Sequence, residues 1–195
     1  MSSTDETTRT KILNATLTLL EAGKGQGVRM TDVAKAAGIS RQAVYLHFES
    51  RADLLIETTF YLDRLKNTEQ RLAASRSAQT GVERLDAFVT AWTGYVPEIY
   101  PMARALMAMK DTDAEAAAAW NQRMQDMREG CEAAIKALAR DGALAAGFST
   151  RQATDLLWTL LSVRNYEHLT GDCRWSKSQY QKTLRKTARD LFVAT

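Results

Sequence analysis

Arg41, Gln42 and Ala43 stand side by side, with Tyr45 and His47 just beyond them. Arginine forks to O6 and N7 of guanine, glutamine pairs bidentately with N6 and N7 of adenine, and alanine packs on the thymine methyl group. Tyr45 and His47 suit hydrogen bonds to phosphate oxygens, contacts that fix register without reading sequence. Thr31 and Arg51 join that second group, because each stands where a helix is expected to start and first-turn amides favour anions. The chemistry on offer is therefore recognition of duplex DNA. Nothing comparable supports catalysis, since no nucleophile elbow, paired carboxylate constellation or phosphate loop is present. Lys24-Gly25-Gln26-Gly27 is rich in glycine but lacks the spacing and the Gly-Lys-Ser/Thr ending of a phosphate cradle. Cys131 and Cys173 lie far apart without CxxC spacing and read as free thiols. His47 and His168 have no ligand spacing, so neither a metal nor a cofactor is expected.

Two short helices must hold those side chains. Thr31 is expected to cap the first, with Val33, Ala34 and Ala37 as its apolar side, and Gly38 to end it in the left-handed conformation. Ile39 would tuck under the turn. Ser40 caps the second helix, where Val44 and Phe48 are one turn apart and face inward, leaving Arg41, Gln42, Ala43, Tyr45 and His47 outside. Ser50 opens a further helix with Asp53 at its third position, a capping-box-like pair. Ahead of these, Thr8 to Ala22 repeats Ile12, Ala15, Thr16, Leu19 and Leu20 on one side and stops at Gly23, an amphipathic helix to pack behind the pair. The polar segment at its start, carrying Arg9 and Lys11, reads as a frayed tail.

At these residues the chain resembles the tetracycline-repressor (TetR) family of bacterial transcription regulators. The resemblance is carried by Thr31, Ala37-Gly38-Ile39-Ser40, Val44-Tyr45-Leu46-His47-Phe48 and Ser50-Arg51. It covers roughly the first quarter of the chain. The family usually has a small residue where Gln42 stands and threonine where Ala43 stands, so the departures fall on the base-reading face. The resemblance implies a dimer on a palindromic operator, repression as the usual outcome, and a small-molecule effector bound in the body.

The chain of 195 residues is 45% hydrophobic and 25% charged, enough to bury a full core in one small domain, 1–53, joined to a larger one, 54–195. A net charge of +3 excludes a wholly basic coat, so DNA affinity must come from a local patch and a second copy of the head. No run is apolar enough to span a membrane, and the first residues lack a signal peptide's basic and apolar regions, so a cytoplasmic protein is expected. Helix-start signals recur at Thr80 with Glu83, Thr112 with Glu115, Ser149 with Gln152 and Ser176 with Gln179. Pro97 and Pro101, Asp141-Gly142, Gly147 and Gly171-Asp172 read as breakers between them. The expected fold is all-α; the TetR resemblance implies about nine helices, a helix-turn-helix head and a helical effector-binding and dimerisation body.

A long helix from Arg51 toward Leu72 would act as the lever between head and body, with residues 73–79 as the loop that ends it. Pro97 and Pro101 are expected to bend the chain between a helix bearing Leu85, Phe88, Val89, Trp92 and Val96 and another over Met102 to Met109. Around that bend Trp92, Tyr95, Tyr100, Met102, Leu106 and Met107 would meet Trp120, Met124 and Met127 of the next helix and Trp158, Asn165 and Tyr166 of the one after it. Aromatic and methionine surfaces suit an apolar or aromatic effector, with Asn165, Tyr95, Tyr100 and Arg104 to orient it. Two terminal helices, Ser149 to Leu169 and Ser176 to Val193, carry Leu156, Leu157, Leu160 and Val163 and the stripe Tyr180, Leu184, Ala188, Leu191 and Phe192. The TetR resemblance implies that these helices meet their symmetry mates in a four-helix interface, which would explain that surplus. The rival readings are a constitutive DNA-binding dimer with a solid body and a protein-interaction module built on the same fold.

Overall fold

The computed structural model describes residues 3–22 and 28–194, with side chains from residue 7. The expected stop at Gly23, the loop 24–27 and the first two residues lie outside the described residues. Among the described residues ten α-helices run α1 Ser3–Ala22, α2 Met30–Ala37, α3 Arg41–Tyr45, α4 Arg51–Leu65, α5 Thr68–Arg76, α6 Gly81–Met109, α7 Ala114–Arg140, α8 Thr150–Leu160, α9 Val163–Glu167 and α10 Lys177–Phe192. A π-helical turn, His168–Asp172, follows α9. The fold is all-α; the only extended pairing among the described residues is an isolated bridge between Leu144 and Val193.

Contacts divide the chain differently from the expected 1–53 and 54–195. One compact unit is Met1–Leu65 with Ile99–Arg123, and the other is Lys66–Glu98 with Met124–Thr195. In the first, Ile12, Leu13 and Leu20 of α1, Val33 of α2, Val44 and Phe48 around α3, and Leu54, Leu55 and Leu62 of α4 are all buried. Arg9 and Lys11 belong to α1 rather than to a loose tail: Arg9 lies over the Phe48 ring at 4.7 Å and pairs with Glu57 at 2.9 Å. Arg123 ties α7 to α4 through Asp63 at 2.7 Å and the Phe60 ring at 5.4 Å. The second unit buries Leu85, Val89 and Val96 of α6, Ile135 and Leu138 of α7, Leu157 of α8, and Tyr180, Leu184, Ala188 and Phe192 of α10. At its start α6 touches α7 so closely that a Cβ on Gly81 would lie 2.5 Å from the Leu138 nitrogen, a contact that only glycine permits.

Four expected boundaries fall elsewhere, each for a local reason. The lever stops at Leu65, because Asn67 takes a left-handed conformation (φ 52°, ψ 45°), which asparagine tolerates better than most residues; α5 then fills most of the expected loop 73–79. Conversely α6 passes through both prolines without a break. Each interior proline costs about 3 kcal/mol, but Val96, Ile99, Met102 and Ala103 on the same turns are buried, at roughly 1.5–3 kcal/mol for each large side chain, and burial wins. The helix expected over 149–169 is interrupted at Ser162, whose side chain accepts from the Asn165 amide at 3.2 Å and caps α9. Gly171 lies inside the π-helical turn instead of in a loop.

Caps follow the same local logic. Thr80 with Glu83 and Ser149 with Gln152 form reciprocal boxes, and Ser176 accepts from Gln179 N at 3.1 Å. Thr112 does not cap α7. Asp113 accepts from the amides of Glu115 and Ala116, both at 3.1 Å, while the Thr112 hydroxyl turns back to the Met109 carbonyl.

Candidate nucleic-acid interface

A Schellman turn joins α2 to α3: Ile39 N donates to Ala34 O at 3.0 Å and Gly38 N to Lys35 O at 3.2 Å, with Gly38 at φ 69°, ψ 32°. Ser40 then caps α3, accepting from Ala43 N at 3.1 Å. Val44 and Phe48 are buried and fix the inward face. A rotation of 100° per residue turns Arg41, Gln42 and Tyr45 outward, and all three are exposed; Ala43 and His47 are half-buried at the margin. Arg41 lies across the Tyr45 ring at 5.5 Å and donates to its hydroxyl at 3.4 Å. Leu46, not among the expected contact residues, is 82% exposed at the end of the helix. The same helical count that turned Val44 inward places Leu46 on the opposite side, so the sequence carried the signal.

Thr31 does not cap α2. It is the second residue of the helix, whose N-cap is Arg29 in an extended conformation without a side-chain bond. Thr31 is nevertheless exposed. At α4, Ser50 accepts from Asp53 N at 3.0 Å, and the Asp53 carboxylate accepts from Glu49 N at 3.1 Å, a box displaced by one residue from the expected pair.

Arg51 is where the structure departs furthest from a free phosphate donor. Its Nε donates to the Val28 carbonyl, while its terminal nitrogens reach both oxygens of Asp113 at 2.9 and 2.7 Å and Glu115 at 3.1 Å. The hydrogen bonds to Asp113 raise the arginine's pKa above its ordinary value and hold the Asp113 carboxyl below its own. Arg29, Arg41, Tyr45 and Arg51 face a cleft of about 750 Å³, together with Glu49, Asp113 and Glu115.

The expected effector residues fall in both compact units. Tyr100, Met102, Leu106, Met107 and Trp120 belong to the first; Trp92, Tyr95, Met124, Met127, Trp158, Asn165 and Tyr166 belong to the second. Met102, Leu106, Trp120, Tyr95, Met127 and Tyr166 are buried. The Trp92 indole donates to the Leu161 carbonyl at 2.7 Å and meets Tyr95 edge-on at 6.0 Å. Asn165, expected to orient a ligand, donates its amide to the Thr159 carbonyl at 2.6 Å and so serves the break between α8 and α9. Cys131 is buried and Cys173 exposed, with burial pushing the Cys131 thiol well up. Much of the expected interface stripe is core: Tyr180, Leu184, Ala188, Phe192, Leu157 and Val163 are buried, leaving Leu156 and Leu191 exposed at 43% and 37%.

Residues 12–58, spanning α1 to the middle of α4, match the family model described as bacterial regulatory proteins, tetR family. Over that stretch the chain is similar to the TetR family. The nucleoid occlusion factor SlmA of a Marinomonas strain is 32% identical over 111 residues, 55% of this chain and 54% of that protein, so the chain aligns with about half the length of that relative. Likeness of fold extends over nearly the whole chain. NalD of Pseudomonas aeruginosa, described as the secondary repressor of a multidrug efflux pump, superposes with a TM-score of 0.71 at 22% identity, covering 98% of each chain. The fatty acid degradation regulator FadR of Bacillus halodurans superposes with a TM-score of 0.72 at 15% identity, covering 93% of this chain and 94% of that one. Among the described residues no helix is long and apolar enough to cross a membrane.

Proposed function

We propose that this chain is a cytoplasmic transcription regulator of the TetR type, a repressor, that docks as a twofold dimer on a palindromic operator and is released by a small apolar or aromatic effector. The observation that carries the reading is the outer face of α3, where Arg41, Gln42 and Tyr45 are exposed on a helix seated by buried Val44 and Phe48. Arg41, Gln42 and Ala43 read bases. Thr31, Ser40, Tyr45 and His47 lie at the helix starts and margins, where phosphate contacts set register. Leu46 adds an apolar contact of the kind a thymine methyl group accepts. Two such helices, held by a dimer, meet successive major-groove faces about 34–36 Å apart. The descriptions of NalD as a repressor and FadR as a regulator support this direction of action.

The test is selection of bound duplexes from a random pool, followed by titration of the wild type and Arg41→Ala on the selected and on random DNA. Loss of a bidentate guanine contact, about 1–3 kcal/mol, weakens specific binding roughly 5- to 150-fold and leaves random DNA nearly unchanged. Equal losses on both would remove Arg41 from the reading role.

One observation favours a second reading, a constitutive DNA-binding dimer. Six of the expected effector residues are buried, and the Trp92 and Asn165 donors already have partners within the chain. A thermal-shift screen in which no apolar or aromatic compound raises the melting point, beside normal operator binding, selects this reading.

A further inference from the structure

We infer that Arg51 is a positioning residue for the recognition helix rather than a phosphate ligand, and that Asp113 and Glu115 are the anions it serves. The inference rests on the DNA-binding reading above and deepens it. Three independent features lead to it. First, the guanidinium has five N–H donors, and four directed bonds already run to Val28 O, to both Asp113 oxygens and to Glu115. The Asp113 contact is a planar fork on a carboxylate, the geometry by which arginine would otherwise grip a phosphate.

Second, the backbone at the same place is also engaged. Glu115 Oε1 accepts from Ala52 N at 3.1 Å, so one of this chain's carboxylates takes a first-turn amide of α4 that would otherwise be open to an anion. Third, the adjoining cleft is balanced: Arg29, Arg41 and Arg51 face Glu49, Asp113 and Glu115, three charges of each sign. A phosphate drawn toward Arg51 would have to displace two carboxylates from a side chain that is only 16% exposed.

What the cluster holds follows from its partners. Val28 lies just ahead of α2, Ala52 is in the first turn of α4, and Asp113 caps α7. α3 is suspended between α2 and α4 in the chain. Seating both of those neighbours against one acidic helix start fixes the angle at which Arg41 and Gln42 are presented.

The salt dependence of binding separates this role from a phosphate contact, because each phosphate contact contributes about 0.9 to the slope of log K against log salt. Binding to the selected operator is titrated across a salt series for the wild type, Arg51→Gln, Arg51→Lys and the double variant Asp113→Asn/Glu115→Gln, with a melting curve for each. All three variants are expected to bind more weakly, on the order of tenfold, along lines parallel to the wild type. Lysine keeps the charge but cannot fork, so it does not rescue. In melting, Arg51→Gln and the double acid variant combined are expected to lose less than the sum of their separate losses.

A slope flattened in Arg51→Gln by about 0.9 for each protomer, about two for the bound dimer, would overturn the inference. So would full affinity in Arg51→Lys, additive melting losses, or a double acid variant that binds as tightly as the wild type because its freed arginine has found a phosphate. A wild type that binds no duplex at any salt overturns the DNA-binding reading itself, and the melting cycle then still reports whether the cluster seats α4.

Discussion

α3 and α10 each set polar side chains outward and apolar ones inward, yet they fold for opposite reasons. In α10, Tyr180, Leu184, Ala188 and Phe192 are all buried, Arg189 reaches Asp86 at 2.8 Å and Lys186 pairs with Asp190. Its own unit accounts for most of what the helix displays. α3 is five residues long and buries only Val44. So short a helix is not stable by itself; it is held by the Gly38 turn, the Ser40 cap and Phe48 beyond its end. On its outer face Arg41 and Tyr45 contact each other. An apolar stripe is therefore weak evidence for a partner when the protomer can cover it, whereas a capped, exposed polar face on a helix too short to stand alone is strong evidence.

The largest expected effect tests the α10 side of that contrast. Leu184→Ala should cost about 2–5 kcal/mol of stability, read from denaturant melts, with no direct change in operator preference. A Leu184→Ala protein that melts normally but dissociates into single chains would make the stripe an interface and break the contrast. On the α3 side, Gln42→Ala should leave the melting point unchanged within about 0.5 kcal/mol and relax preference at one base position by about 1–3 kcal/mol, read by repeating the selection with the variant.

A smaller effect is expected in acid. Hydrogen bonds from Arg51 hold the Asp113 carboxyl below its ordinary 3.8. Its contribution is complete above the unfolded value and is lost as pH falls through the lower folded one. Melting points followed from about pH 5 to about pH 2 should therefore decline more steeply for the wild type than for Asp113→Asn. The smallest effect returns to α10. The Tyr180 hydroxyl is buried with no hydrogen-bond partner among the described residues. Tyr180→Phe should be neutral or stabilise by about 1 kcal/mol while keeping the edge-on contact with Tyr166, and a clear loss would reveal a hidden partner for the hydroxyl.

The head was legible because its signals are local and mutually consistent: Gly38, Ser40, Val44 and Phe48 each specify one bond or one buried face. The failures share another origin. Pro97 and Pro101 read as a break because propensity counts the lost hydrogen bonds, while burial of Val96, Ile99 and Met102 depends on distant elements. Asn67 interrupts a helix through its left-handed backbone and Ser162 through a side-chain cap, and neither residue type by itself announces a break. Thr112 looked like a cap by spacing, but Asp113 beside it accepts two amides and Arg51 as well. That last contact joins residues 62 positions apart, and no local pattern announces it. For the same reason the contacts of Arg51 with Asp113 and Glu115 could not be read from its own neighbourhood in the sequence.

The turn at Gly38 has one more implication. Its φ is +69°, and a Cβ built there meets nothing within 4 Å. Chirality rather than crowding selects glycine at this joint. A mirror-image D-alanine introduced by chemical synthesis would enter without strain and stiffen the unfolded chain, while its L enantiomer, identical in volume, would oppose the geometry on which the presentation of α3 depends.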